Sequence, residues 1–167
     1  MMESLVQNAL QNQPQVVNGL EVGKANIVVM GCGGGGNNMV SWLHKKGING
    51  AKIFALNTDQ QHLDITQADG KILIGRELTR GLGCGGYPQK GTEAAKESLH
   101  DLKNYLKDAD MVFICAGLGG GTGTGSAPVV AQIAREVGAI VIGTVTMPFD
   151  IERARVDKAE FGLQQLR

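Results

Sequence analysis

Gly117-Leu118-Gly119-Gly120-Gly121-Thr122-Gly123-Thr124-Gly125-Ser126 decides the fold of this chain, because six of its ten residues are glycine. The run before it, Met111-Val112-Phe113-Ile114-Cys115-Ala116, is apolar and strand-sized. The run after it, from Ala127-Pro128-Val129-Val130, has helical spacing with a proline near a first turn. Strand, glycine loop, helix is the reading. Glycine costs roughly 0.5–1 kcal/mol relative to alanine in a regular element, so six in one turn require compensation. Bare backbone N–H groups approaching an anion at a helix N-terminus supply it.

The same plan appears earlier. Ala25–Met30 is a β-branched run, Gly31-Cys32-Gly33-Gly34-Gly35-Gly36 follows, and a helix over residues 37–46 is expected next. Asn37 suits its N-cap; Met39, Val40, Trp42 and Leu43 suit a sheet-facing side; Lys45 and Lys46 suit the C-terminal dipole before Gly47. Further strands are predicted at 52–56, ending in Asn57-Thr58-Asp59, at 71–74 and at 139–145. A long connection carries Gly81-Leu82-Gly83-Cys84-Gly85-Gly86-Tyr87-Pro88, and connections of that length are usually functional or mobile. Thr92 is the expected cap of a helix Glu93–Lys107 with an Ala95, Leu99, Leu102, Leu106 stripe. A last helical pattern begins at Glu152, with Val156, Ala159, Leu163 and Leu166.

This alternation predicts an α/β protein: an open, mainly parallel, Rossmann-like sheet with helices on both faces. In such sheets ligands sit at the C-terminal ends of the strands. Loops 31–38, 57–59, 81–88, 117–126 and 146–152 all fall there. Residues 1–23, rich in Gln and Asn and weakly helical over Ser4–Gln11, read as an N-terminal extension, and residues 24–167 as the domain. The stop at Arg167, inside the last helical pattern, suggests a piece of a longer protein.

Sixteen basic and sixteen acidic side chains give a formal net charge of zero, with no basic cluster of the kind that binds nucleic acid or a membrane surface. The longest apolar runs are strand-sized, so no membrane insertion is expected. Cys32, Cys84 and Cys115 have no metal-ligand spacing and read as reduced thiols of a cytoplasmic protein. Cys115 is expected in the core, while Cys32 and Cys84 lie in glycine loops where they would see a ligand.

Two ligand classes stay open on the residues alone. Gly31-x-Gly33-x-x-Gly36, with Asp59 about twenty residues on, matches the NAD(P)-binding fingerprint of an oxidoreductase. That leaves the second glycine loop unexplained. Two facing glycine loops would wrap a triphosphate from both sides, without a basic side chain in either; hydrogen bonds to charged groups contribute about 1.5–3 kcal/mol each.

The residues also carry a resemblance. Gly119-Gly120-Gly121-Thr122-Gly123-Thr124-Gly125 resembles the signature loop of the tubulin superfamily. Residues 31–38, 57–59, 78–88 and Val145-Thr-Met-Pro-Phe149 resemble the accessory motifs of its prokaryotic cell-division branch, the FtsZ family. The resemblance covers residues 25–167, and the tail Glu152-Arg153-Ala154-Arg155 looks archaeal. It implies a GTP/GDP site with Mg2+. Gly33, Gly34, Gly35, Gly36, Asn37 and Asn38 would contact the nucleotide from the first loop. Gly119, Gly120, Gly121, Thr122, Gly123, Thr124 and Gly125 would hold the phosphates. Asp59 would lie near the γ-phosphate and its Mg2+, Cys84, Gly85 and Gly86 would close over the γ-phosphate, Glu152 would bind the ribose hydroxyls, and Asn57, Pro148 and Arg155 would be further nucleotide contacts. The family pattern Glu-Gly-x-x-Arg is altered, which leaves Arg153 and Arg155 both open for the arginine role. The family further implies a head-to-tail homopolymer, cell-division partners and action at the division site. Its catalytic acid comes from a neighbouring subunit, so no catalytic residue is expected here and this piece alone should bind but hardly hydrolyse. A non-hydrolysing filament scaffold is the remaining alternative.

Overall fold

A computed structural model describes residues 23–167; the helical pattern expected over Ser4–Gln11 lies outside them. Five strands, β1 (Ile27–Cys32), β2 (Ala51–Asn57), β3 (Gly70–Leu73), β4 (Met111–Gly117) and β5 (Ile140–Thr146), form one sheet in the order β3-β2-β1-β4-β5. Every pairing is parallel. Cys32 pairs with Leu56 on one side and Ala116 on the other, so the central strands finish level at their C-terminal ends.

The crossovers are helical, as parallel strands require. Helix α1 (Gly33–Lys46) links β1 to β2, and α2 (Gln60–Ile65) links β2 to β3. Then come α3 (Arg76–Thr79), α4 (Pro88–Glu97) and α5 (Leu99–Leu106), with α6 (Thr122–Glu136) between β4 and β5. A short 3-10 turn, Asp150–Glu152, leads into α7 (Ala154–Leu166).

Strand alternation divides the core. Val28 and Met30 of β1, Leu56 of β2 and Val112 and Ile114 of β4 face one way, against Ala94, Leu102, Leu106, Val130 and Ile133 of the helices. Val29, Ile53, Ala55 and Cys115 face the other, against Val40 of α1 and Leu63 of α2. Residues buried as fully as Leu102 and Leu106 each contribute about 1.5–3 kcal/mol from apolar burial. Helices therefore cover both faces, as predicted. β5 is an edge strand with Ile140 61% exposed.

The structure departs from expectation at the helix starts. The first glycine loop is largely the first turn of α1, Gly33–Gly36, and the second enters α6 at Thr122, so that Gly123 and Gly125 are helical while Gly119, Gly120 and Gly121 precede the helix. Asn37 is thus inside α1 and is no cap, and Pro128 sits inside α6 instead of near its first turn. The first turn of a helix has no intrahelical N–H partners to lose, so glycine's poor propensity matters less there than close approach. Trp42 was expected against the sheet but is 60% exposed, its ring covered by Lys46 Nζ at 5.2 Å from the centroid. The helix expected over 93–107 is two helices broken at Ser98, and it starts earlier, with Pro88 at its first turn. Thr92 is consequently no cap; its hydroxyl donates to Gly125 O at 3.0 Å, tying α4 to α6.

Candidate functional site

The chain winds from β1 outward to β3, then returns to β4 on β1's other side and continues to β5. Between β1 and β4 the two crossover helices diverge, which opens a crevice at the C-terminal ends of the strands. A cleft of about 400 Å³ lies there. Gly34 and Gly35 line it from α1, Gly120, Gly121, Thr122 and Gly123 from the β4–α6 turn, and Pro148, Glu152 and Arg155 from beyond β5.

The two glycine turns are in backbone contact. A Cβ built on Gly33, whose φ is +69°, would lie 2.5 Å from Gly123 N; one on Gly35 would lie 3.0 Å from Gly117 Cα. Any side chain at these positions would force the turns apart. On Gly36 it would collide with Cys115 O, and on Gly125 with Pro88 O. Gly33, Gly36 and Gly125 therefore permit the close packing and stand behind the cleft wall. Gly119 is buried at φ +97°, and its N–H donates to Thr124 Oγ1 at 2.9 Å. Thr124 Oγ1 thus accepts a bond that shapes the turn, and the buried residue does not line the cleft.

Asn37 also sits elsewhere than expected. It is completely buried, and its partners fix its amide orientation. The nitrogen donates to Gly31 O at 2.9 Å, Leu56 O at 3.1 Å and Gly33 O at 3.2 Å, while the oxygen accepts from Asn57 Nδ2 at 3.0 Å. Asn37 bolts the ends of β1 and β2 together and does not line the cleft. Asn38, one residue on, is exposed. Asn57 is buried as well, and its Oδ1 accepts from Thr58 N at 2.9 Å and Asp59 N at 3.3 Å.

Asp59 caps α2, one oxygen accepting from His62 N at 3.1 Å. The 81–88 connection is pinned beside it: Gly83 N donates to Thr58 O at 3.0 Å, and Gln60 N to Gly81 O at 3.0 Å. Cys84 is buried with Sγ 3.4 Å from Thr58 Oγ1, which is itself 2.7 Å from Thr122 Oγ1. Gly85 and Gly86 are exposed at the rim. Lys158 Nζ of α7 donates to Gly86 O at 2.8 Å and so anchors the far end of the connection. Cys32, by contrast, does not see the cleft: it is fully buried, and burial pushes its thiol up to about 12.

At the β5 side, Arg155 Nη1 pairs with Glu152 Oε2 at 3.0 Å, and Phe149 N donates to Glu152 Oε1 at 3.0 Å. The Phe149 N–H, and secondarily Arg155, hold the Glu152 carboxyl below its ordinary value. Arg155 lines the cleft and Arg153 does not; Arg153 takes φ +39° at the junction of the 3-10 turn and α7. Gly117, Leu118, Thr146 and Met147 also line the cleft; the sequence places their loops at the strand ends without singling them out as contacts. Leu118 N donates to Thr146 O at 2.9 Å, a strand-end pairing that no side-chain pattern announces.

A doubly wound parallel sheet with a glycine-walled, charge-balanced cleft at its switch point defines an α/β domain of the mononucleotide-binding kind. Residues 26–167 match the GTPase domain of the Tubulin/FtsZ family. The chain belongs to that family. It is 60% identical over 146 residues to cell division protein FtsZ 2 of Methanocaldococcus jannaschii, covering 87% of this chain and 38% of that protein. Among solved structures, an empty FtsZ dimer from M. jannaschii superposes with a TM-score of 0.85 at 51% identity, over 99% of this chain and 46% of that one. A GTPγS-bound CetZ2 protofilament from Haloferax volcanii gives 0.76 at 26% identity, over 84% and 46%. The chain thus spans less than half the length of these relatives. Among the described residues no helix is long and apolar enough to cross a membrane.

Proposed function

We propose that this domain binds GTP and GDP in the β1–β4 cleft, as part of a cell-division protein that assembles head-to-tail and hydrolyses GTP between subunits. The observation that carries it is the backbone contact between the two glycine turns, Gly33 against Gly123 and Gly35 against Gly117. It closes two walls of N–H groups around one space, which suits a phosphate chain longer than a single pyrophosphate cradle needs. The relatives named above support the guanine nucleotide, and nothing among them supports an NAD(P) oxidoreductase.

The expected arrangement runs along the sheet. Glu152 and Pro148 take the ribose side near β5, the Gly120–Gly123 N–H groups and Gly34 and Gly35 face the phosphates, and the terminal phosphate lies toward Asp59, Gly85 and Gly86. Asn38 remains a candidate contact on α1, where its exposed amide is free of the packing that occupies Asn37. Among the described residues no three acidic, histidine or cysteine side chains gather to hold a metal by themselves. A hard cation that takes most of its ligands from phosphate and water fits so sparse a donor set, with the Asp59 carboxylate beside it. Mg2+ bound there would neutralise charge on the terminal phosphates.

Among the described residues Glu152 is the one acidic residue lining the cleft, and it is occupied by Arg155 and Phe149. On the family's pattern the acid that activates water comes from a neighbouring subunit, Asp59 serving the cation, and catalysis here is positioning and electrostatic stabilisation. Large apolar side chains surround the strand ends: Leu82 is 83% exposed, Phe149 79% and Ile151 87%. They suit a docked partner. Two measurements test the reading. GTP and GDP should compete for one site from which NAD displaces neither. Phosphate release per molecule of the full-length protein should rise with protein concentration; a rate independent of concentration would sink hydrolysis in trans, and assembly without release would identify a scaffold.

A further inference from the structure

His62 belongs to no motif named above, yet two buried amides orient it. Asn57 Oδ1 is taken by the N–H groups of Thr58 and Asp59, so Asn57 Nδ2 is the donor end. One of its hydrogens goes to Asn37 and the other to His62 Nδ1, at 3.4 Å. Nδ1 is thereby the acceptor, and the neutral ring carries its proton on Nε2. The backbone is fixed too, His62 N donating to Asp59 Oδ1 at 3.1 Å. Nε2 has no hydrogen-bond partner among the described residues. It lies beside Gly34, where an added Cβ would meet His62 Nε2 alone, at 4.0 Å, and Gly34 lines the cleft.

We infer that His62 is a ligand-contacting residue, whose Nε2–H donates to the terminal phosphate of a bound nucleoside triphosphate and so helps distinguish it from the diphosphate. The inference rests on the nucleotide reading above. With the ribose at the β5 side, the phosphate chain extends across β4 and β1 toward β2, and its last member is the group nearest α2. The Asn37–Asn57–His62 chain sets the donor before any ligand arrives, so its orientation carries no ordering cost at binding.

The test uses the full-length protein at concentrations below assembly. Wild type, His62→Gln and His62→Phe are titrated with GTPγS and with GDP. Glutamine keeps an N–H donor of similar reach, whereas phenylalanine keeps the shape and loses it. His62→Phe is expected to weaken GTPγS by about tenfold or more, the size of one hydrogen bond to a charged group. It should leave GDP within about twofold, with His62→Gln near wild type for both, since the diphosphate lacks the group that the donor meets. Unchanged GTPγS affinity in His62→Phe overturns the inference, and so does an equal loss for both nucleotides. Wild type that binds neither nucleotide overturns the site reading itself, a distinguishable outcome. Nitrogen NMR of the wild-type ring gives a second measure that needs no variant. The free protein should show the Nε2–H tautomer, and GTPγS but not GDP should shift Nε2; a ring that ignores both refutes the contact.

Discussion

Gly120→Ala separates the two reasons a glycine can be required. A Cβ on Gly120 meets nothing within 4 Å, and its backbone is not left-handed, so the free protein has room for the methyl. Stability should stay level or rise by about 0.4–1 kcal/mol, because the unfolded chain loses freedom. The methyl would instead occupy the cleft that Gly120 lines, holding a phosphate away from the adjacent N–H groups. Losing one or two hydrogen bonds to a charged ligand costs roughly 2–4 kcal/mol, or about 30- to 700-fold in Kd. The assay pairs GTP titration with thermal melting of the same preparation. A melting temperature lowered by more than about 5 °C would mean that packing requires this glycine. Affinity within about threefold of wild type would mean that the ligand does not approach the turn, and either result refutes the reasoning.

Gly125→Ala should do the opposite of Gly120→Ala: with Thr92 N 2.6 Å from the new Cβ and Gly91 C at 3.0 Å, rigid backbone opposes it, and an overpacking cost of about 3 kcal/mol should appear in urea unfolding. Asn37→Ala strands the amide's partners at the β1 and β2 ends and should cost about 3 kcal/mol; Asn37→Asp, which sets acceptors against three carbonyls, should be worse. Glu152, with its folded-state pKa depressed from 4.5, favours the folded turn above that value and loses the contribution as pH falls through its lower folded value. The protection of the Phe149 amide, its exchange taken relative to an unstructured amide at the same pH, should accordingly fall as pH drops below about 4.5, and Glu152→Gln should flatten that dependence.

The sheet was legible because parallel strands buried on both faces are written as short apolar runs, and Val28–Met30, Ile53–Leu56 and Val112–Ala116 are such runs. The strand-end location of the loops followed from their order alone. What misled was glycine at Gly33–Gly36 and Gly121–Gly125. Propensity counts these as loop, while the structure uses Gly33–Gly36, Gly123 and Gly125 in first helical turns, with backbone pressed close at Gly33 and Gly123. Trp42 misled in the other direction, since apolar spacing places it inward although its ring lies outside under Lys46. Asn37 and Asn57 are adjacent to no shared pattern, so their buried pairing, and the His62 orientation that depends on it, becomes visible only once β1 and β2 are side by side. The family resemblance names residues from every loop around the cleft, and it does not divide those that line it from those, such as Thr124 and Gly36, that stand behind its walls.

The cleft carries one acid and one base, already joined as Glu152 and Arg155, and its glycine turns contribute only peptide dipoles. Fixed cations attract an anion through a long-range field that dissolved salt screens within about 10 Å at 0.1 M. Peptide N–H groups act at contact, where no counterion intervenes. The peptide N–H share of phosphate affinity in such a cradle is expected to depend on salt less steeply than a contact with a fixed cation would, and to owe little to long-range steering of the ligand.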